Sequence, residues 1–158
     1  GILGDGMSSR LFLNLREEQG LAYDVYSSLN HFRDCGSLVV YCGVEPKKTR
    51  SAISAIMDEF HSISQGITES ELVRAKEYAK GRLLLRMEDS RSVAAWIGTQ
   101  ELLLDKVSTI EDVIESIDAV TEVDIARVSG RVITRDNIRT AIVGPHRSDK
   151  GILELLKF

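Results

Sequence analysis

A chain of 158 residues, 43% hydrophobic and 28% charged, has the length and composition of one soluble globular domain spanning 1–158. Its 20 Lys and Arg against 24 Asp and Glu leave a formal charge of -4, which argues against a nucleic-acid partner. No apolar run approaches the ~20 residues that span a bilayer, so no membrane partner is expected, and no signal peptide is visible.

The chain opens on Gly1-Ile2-Leu3 rather than Met, which reads as a processed or truncated piece. Ser8 or Ser9 then caps a first predicted helix, with Met7, Leu11 and Leu15 at helical spacing and Phe12 widening the stripe. Gly20 stands where a helix needs a left-handed stop, and Leu21 supplies the apolar contact after it. A strand is predicted over 21–32, its alternation placing Tyr23, Val25, Ser27 and Leu29 on one face. Arg33-Asp34-Cys35-Gly36 is a turn, and Ser37 to Val44 returns as the second strand of an antiparallel hairpin. Cys35 and Cys42 flank that turn. Two cysteines do not make a disulfide framework; they read as free thiols in a reducing compartment, so the expected localisation is cytoplasmic.

Pro46 suits the first turn of a helix carrying Ile53, Ile56, Met57, Phe60 and Ile63, ended by Gly66. Thr68 with Glu71 forms a capping box for a helix whose stripe is Leu72, Ala75, Ala79 and Leu83. A helix follows over 92–104. Ser108 with Glu111 reads as a second capping box, and Thr121 opens a helix to about Val132. Asn137 to Val143 is a predicted late strand, and Lys150 to Leu156 a short closing helix. A hairpin, then helices, then one strand is an α+β order: a largely antiparallel sheet with helices packed on one face. A sheet of three strands is small, which suggests missing strands or pairing with another domain.

Metal chemistry has little to stand on. His31 lies on a strand, His61 on a helix and His146 in a loop, and none has a second ligand at helical zinc spacing; no metal site is expected in this chain. Ser8 and Ser9 lack the strand-to-helix elbow of a nucleophilic serine. Gly4-Asp5-Gly6 lacks a Walker lysine, and Asp5 would repel phosphate. Arg16 and Tyr23 remain. On spacing alone, Arg16 pairs with Glu17, Glu18 or Asp24 and Tyr23 packs; alternatively, both are placed side chains of a catalytic site.

Leu3-Gly4-Asp5-Gly6-Met7-Ser8-Ser9-Arg10-Leu11-Phe12 and Leu15-Arg16-Glu17-Glu18-Gln19-Gly20-Leu21-Ala22-Tyr23 closely resemble a segment of the pitrilysin/insulinase family of zinc metallopeptidases, including its processing-peptidase branch. Asp5 replaces a glycine of that segment, and Asp24 a serine. The resemblance extends through Arg33-Asp34-Cys35-Gly36, Gly66-Ile67-Thr68-Glu69-Ser70-Glu71-Leu72 with Ala75-Lys76, Ile117-Asp118-Ala119-Val120-Thr121 and Val143-Gly144-Pro145. It implies a protein of two homologous halves. The N-terminal half carries H-x-x-E-H, which is absent here, and binds zinc. The C-terminal half, which this chain resembles from part-way into its first helix, supplies Arg16 and Tyr23 as catalytic and substrate-binding groups. The implied function is the substrate-gripping domain of a metalloendopeptidase acting on peptides or unfolded segments. Its implied partners are the zinc-bearing half and a peptide substrate, and the isolated chain is expected to be inactive. Two alternatives belong to other classes: a non-catalytic scaffold or binding subunit of the same fold, and a stand-alone homodimer.

Overall fold

The computed structural model describes residues 1–104, 106–145 and 151–156. Strand β1 spans Ala22–His31 and β2 spans Gly36–Val44; they form one antiparallel pair. Helices follow in order: α1 Thr49–Gln65, α2 Glu69–Arg86, α3 Ser90–Leu104, α4 Ile110–Asp118 and α5 Glu122–Val132. Ahead of β1 lies a π-helical segment, Phe12–Glu18, and ahead of α1 a 3-10 turn, Pro46–Lys48. The architecture is α+β, as the element order predicts. The chain divides into two compact units, one formed by residues 2–67 and 123–158, the other by 68–122 with Gly1.

The first unit holds the core. Leu11 and Leu15 are wholly buried, and Leu3, Ala22, Val25, Ala55, Ile63 and Ile133 close around them. Each buried leucine contributes about 1.5–3 kcal/mol through the surface it removes from water. Leu38, Val40, Cys42 and Val44 of β2 pack against this cluster. On α1 the most buried side chains are the small Ala52 and Ala55, while the larger Ile53 and Met57 of the predicted stripe are half-buried. Tyr26 and Tyr41, directly opposite each other, stack at 5.1 Å between ring centroids and stay partly exposed.

The opening loop is tied down by its own backbone. Arg10 N donates to Ile2 O at 3.0 Å and Leu11 N to Leu3 O at 2.9 Å. These two carbonyls do the work that sequence assigned to a serine cap. Ser8 is exposed, Ser9 is buried with its hydroxyl unpartnered, and no side chain caps the first helix. Met7 precedes the helix and is 77% exposed, so it leaves the predicted stripe. Ser27 N donates to Gly4 O at 2.7 Å, docking the loop against β1. A Cβ on Gly4 would sit 2.7 Å from Ser27 N, so that approach requires glycine.

The second unit is helical. Thr68 and Glu71 form the predicted reciprocal capping box at the start of α2. The other predicted box moves by one residue: Thr109 and Asp112, not Ser108 and Glu111, cap α4, the Asp112 carboxylate receiving Thr109 N at 2.8 Å and Thr109 Oγ1 receiving Asp112 N at 3.1 Å. Asp89 receives Ser92 N at 2.8 Å at the start of α3. Hydrogen bonds from the Ser92 hydroxyl and then its amide hold the Asp89 carboxyl below the usual aspartate range, and those from the Thr109 amide and then its hydroxyl do the same for Asp112. Between α2 and α4, Lys76 donates to Asp118 O at 2.8 Å, and Lys80 bridges Asp118 and Glu77. None of α2, α3 or α4 has a fully buried residue.

Two late predictions fail. Asn137 to Val143 forms no strand: β1 and β2 pair only with each other among the described residues, so the segment has no ladder to join. Side chains meet the local carbonyls instead, Asn137 donating to Arg131 O and Val132 O, and Arg139 to Asp136 O and Ile138 O. The predicted closing helix begins at Lys150, outside the described residues, and 151–156 are turns.

Two glycines separate two kinds of strain. Gly4→Ala meets a backbone atom and is expected to cost about 1–3 kcal/mol. Gly20→Ala has open space around it but must hold φ +56, at about 1–2 kcal/mol. Urea unfolding of the two variants measures both, and a wild-type midpoint for Gly4→Ala would contradict the docking of the opening loop.

Candidate functional site

The helix carrying Arg16 does not wind as an α-helix. Its turns widen to π geometry over Phe12–Glu18, and Gln19 N donates five residues back to Asn14 O at 2.9 Å. Such segments are rare and recur at functional sites. The Arg16 guanidinium lies 4.9 Å from the centre of the Phe12 ring, a cation–π contact, while its Nε is a loose 3.8 Å from Glu17 Oε1. Its side chain is 44% exposed, so a pair with Glu17 at that distance holds it weakly. Gly20, at φ +56, then stops the helix as predicted, and Leu21 N returns to Leu15 O at 2.7 Å.

Tyr23 is placed by an irregularity. Ala22 pairs with Val44, and Asp24, not Tyr23, pairs with the next residue, Gly43. One residue of β1 is therefore extra, and Tyr23 occupies the bulge. Ala22 and Val25 are both buried, three apart, and Tyr23 between them is 88% exposed. The predicted shared face of Tyr23 and Val25 is thus wrong, because strict alternation cannot anticipate an inserted residue. Leu29, assigned to that face, is also 63% exposed near the hairpin tip.

Tyr23 stands at a hollow of about 470 Å³ lined by Gly20, Leu21, Ala22, Gly43, Glu45 and Lys48, with Val44. Arg16 is not in this lining. The structure therefore puts both predicted side chains within reach of solvent on either side of the Gly20 stop, and gives Tyr23 alone to the hollow. Lys48 donates to Gly20 O at 3.0 Å and lies 3.6 Å from Glu45 Oε1, which also meets Lys47 through its other oxygen. Those lysines hold the Glu45 carboxyl below its ordinary range. Glu45 and Lys48 were missed by sequence reasoning, which took Pro46 as a helix start and nothing more.

The chain resembles known proteins in sequence and fold. Residues 1–78 match the family described as the peptidase M16 inactive domain. Over 156 residues, 98% of the chain, it is 37% identical to a protein of Mycobacterium tuberculosis named as an uncharacterized zinc protease. Over residues 1–78 the chain carries the inactive domain of the peptidase M16 family. It spans 35% of that mycobacterial relative. A solved structure of a conserved protein from Enterococcus faecalis matches 83% of the chain at 30% identity with a TM-score of 0.72, the match covering 31% of that protein. The fold also resembles a chain of complex III2 from Candida albicans, at 21% identity over 83% of this chain and 31% of that one, TM-score 0.72.

Among the described residues no three His, Cys, Asp or Glu side chains are grouped to hold a metal ion. His31 and His61 are exposed on β1 and α1; His146 lies outside the described residues. No helix among the described residues is long and apolar enough to cross a membrane.

Both cysteines are free thiols, with Cys35 exposed at the hairpin turn. Burial, reinforced by the Asp24 carboxylate, pushes the Cys42 thiol up to about 11. A thiol that holds its proton more tightly folded than unfolded stabilises the fold below about pH 9, and that contribution is lost as pH rises towards about 11. Iodoacetamide at pH 8, followed by mass spectrometry, is expected to label Cys35 well before Cys42; equal rates would contradict the packing of Cys42 against the core.

Proposed function

We propose that this domain is the substrate-gripping part of a zinc-dependent metalloendopeptidase that cleaves peptides or unfolded segments. The reading rests on one observation above all: the bulge in β1 leaves Tyr23 exposed to solvent beside a hollow, just after the Gly20 helix stop. Tyr23 donates a hydrogen bond to the scissile carbonyl as it gains negative charge, and Arg16 holds the substrate backbone nearby. A placed neutral donor needs no proton transfer and acts where charge develops. Arg16 suits its role because its guanidinium rests on the Phe12 ring and is only weakly engaged by Glu17. The naming of the mycobacterial relative as a zinc protease supports zinc in the whole protein. The donor groups described here do not fit that metal, so its ligands and its activated water belong to the zinc-bearing half. The partners are then that half and the peptide. The solvent-facing leucines of α3 (Leu102 at 82% and Leu104 at 66%) and the exposed apolar residues of α2 support self-association of the isolated domain. The compartment is proposed as cytoplasmic, supported by the free thiols.

A second reading is a non-catalytic scaffold subunit, favoured by the fold shared with a chain of complex III2. Zinc content and peptidase activity of the full-length protein separate the two. The scaffold reading predicts neither.

In the full-length protein, Tyr23→Phe removes the donor and keeps the ring. Turnover is expected to fall by about 10²–10³ with KM changed far less, equivalent to ~2.7–4 kcal/mol of transition-state stabilisation. Steady-state kinetics on a fluorogenic peptide measures this, and an unchanged kcat would remove the oxyanion role. Arg16→Ala is expected to raise KM as well as lower kcat, because it holds the ground-state backbone too.

A further inference from the structure

A closed ring of interactions surrounds the hollow at Tyr23. The chain runs from Gly20 to Ala22; the ladder crosses from Ala22 to Val44; the chain turns through Glu45 and Pro46 to Lys48; and the Lys48 ammonium returns to the Gly20 carbonyl at 3.0 Å. The turn is itself pinned, Lys48 N donating to Glu45 O at 2.8 Å. Gly20 is the residue that stops the Arg16 helix, and Tyr23 is the bulged residue three positions on. Lys48 thus touches the backbone midway between the two side chains of the proposed mechanism. It also brings a cation to the carbonyl end of that helix, where the helix dipole is negative.

We propose that Lys48 is a positioning residue for Arg16 and Tyr23, acting by tethering the Gly20 carbonyl to the corner between β2 and α1. The proposal rests on the catalytic reading of those two side chains for its kinetic part, and on geometry alone for its structural part. Lys48 touches no reacting atom. It acts through the helix stop: with the ammonium in place, the stop keeps one path from helix to bulge. Without it, the Gly20 carbonyl is left to water and the bulge gains freedom. Misplacing a catalytic group by about 1 Å costs on the order of 10²-fold in rate.

Lys47 provides the control. It pairs with the same Glu45 carboxylate, at 3.2 Å, and its side chain is 80% exposed. Lys47→Met removes the same charge from the same partner and leaves the Gly20 tether in place. The test compares Lys48→Met, Lys48→Arg and Lys47→Met in the full-length protein, by amide hydrogen exchange over 20–25 and by kcat and KM on a fluorogenic peptide.

Lys48→Met is expected to speed exchange of the amides around the bulge by roughly tenfold, the lower end of what one hydrogen bond to a charged group provides. Protection in α1 and in the middle of β2 should stay as in the wild type. Turnover should fall by roughly tenfold or more with KM little changed. Lys48→Arg should restore both, since a guanidinium can donate to the same carbonyl, and Lys47→Met should change neither. Wild-type exchange in Lys48→Met overturns the tether. An equal effect of Lys47→Met overturns it as well, because the effect would then be one of charge. A general loss of protection along α1 and β2 overturns it too, because Lys48 would then hold the fold and not the bulge. Absence of peptidase activity in the wild-type full-length protein would remove the catalytic reading alone, and the exchange results would still decide whether Lys48 holds the bulge.

Discussion

The first unit depends on Leu11 and Leu15 being driven out of water together. Both are completely buried, one turn apart, and everything that places the candidate site follows from seating them. The helix that carries them is short and lacks a side-chain cap, so the opening loop must lie across its start, where the carbonyls of Ile2 and Leu3 receive its first amides. That loop in turn needs Gly4 to press against β1 at Ser27. At the other end, Gly20 must stop the helix within one residue to let Ala22 and Val25 join the same core. Two buried side chains three apart on a strand demand an extra residue between them, and that residue is Tyr23. The exposed position of Tyr23 is thus a consequence of core packing: burial of Ala22 and Val25 fixes the backbone on either side of it.

The hairpin and the helical unit face different conditions. β1 and β2 carry one face into the core through Val25, Leu38, Val40 and Cys42, while the stacked Tyr26 and Tyr41 occupy the other. The helices over 68–122 have surface ion pairs, and α2 and α4 reciprocal caps, but no fully buried side chain. Exposed ion pairs such as Lys80 with Glu77 contribute little each. The apolar side chains left in water there, Leu84, Leu85, Leu102 and Leu104 among them, are ones that a partner surface would stabilise.

Much of this was legible in the residues. Alternation and turn chemistry placed both strands within one or two residues, and the left-handed stop at Gly20 and the capping box at Thr68 follow from stereochemistry that acts within a few bonds. Two of the failures share a cause, a partner that only the folded chain supplies. The serine cap was displaced by carbonyls of Ile2 and Leu3, which only the folded-back loop brings near. The late strand over 137–143 had the right composition, but a strand exists only when a neighbouring edge accepts its hydrogen bonds. The cap at Ser108 moved to Thr109 because two adjacent hydroxyl residues, followed by two adjacent acids, offer the same box in two registers.

The sequence by itself determined the α+β class, the helix stop and the hairpin, because those depend on local propensity and on turn chemistry within a few residues; it proposed Arg16 and Tyr23 through a run of residues that resembles a known family. Which way Tyr23 points, what lines the hollow and which lysine reaches Gly20 were decided only in three dimensions. Lys47 and Lys48 are chemically the same and adjacent in the chain. The 3-10 turn after Pro46 gives Lys48 alone a contact with the helix stop, and no pattern in one dimension distinguishes the two.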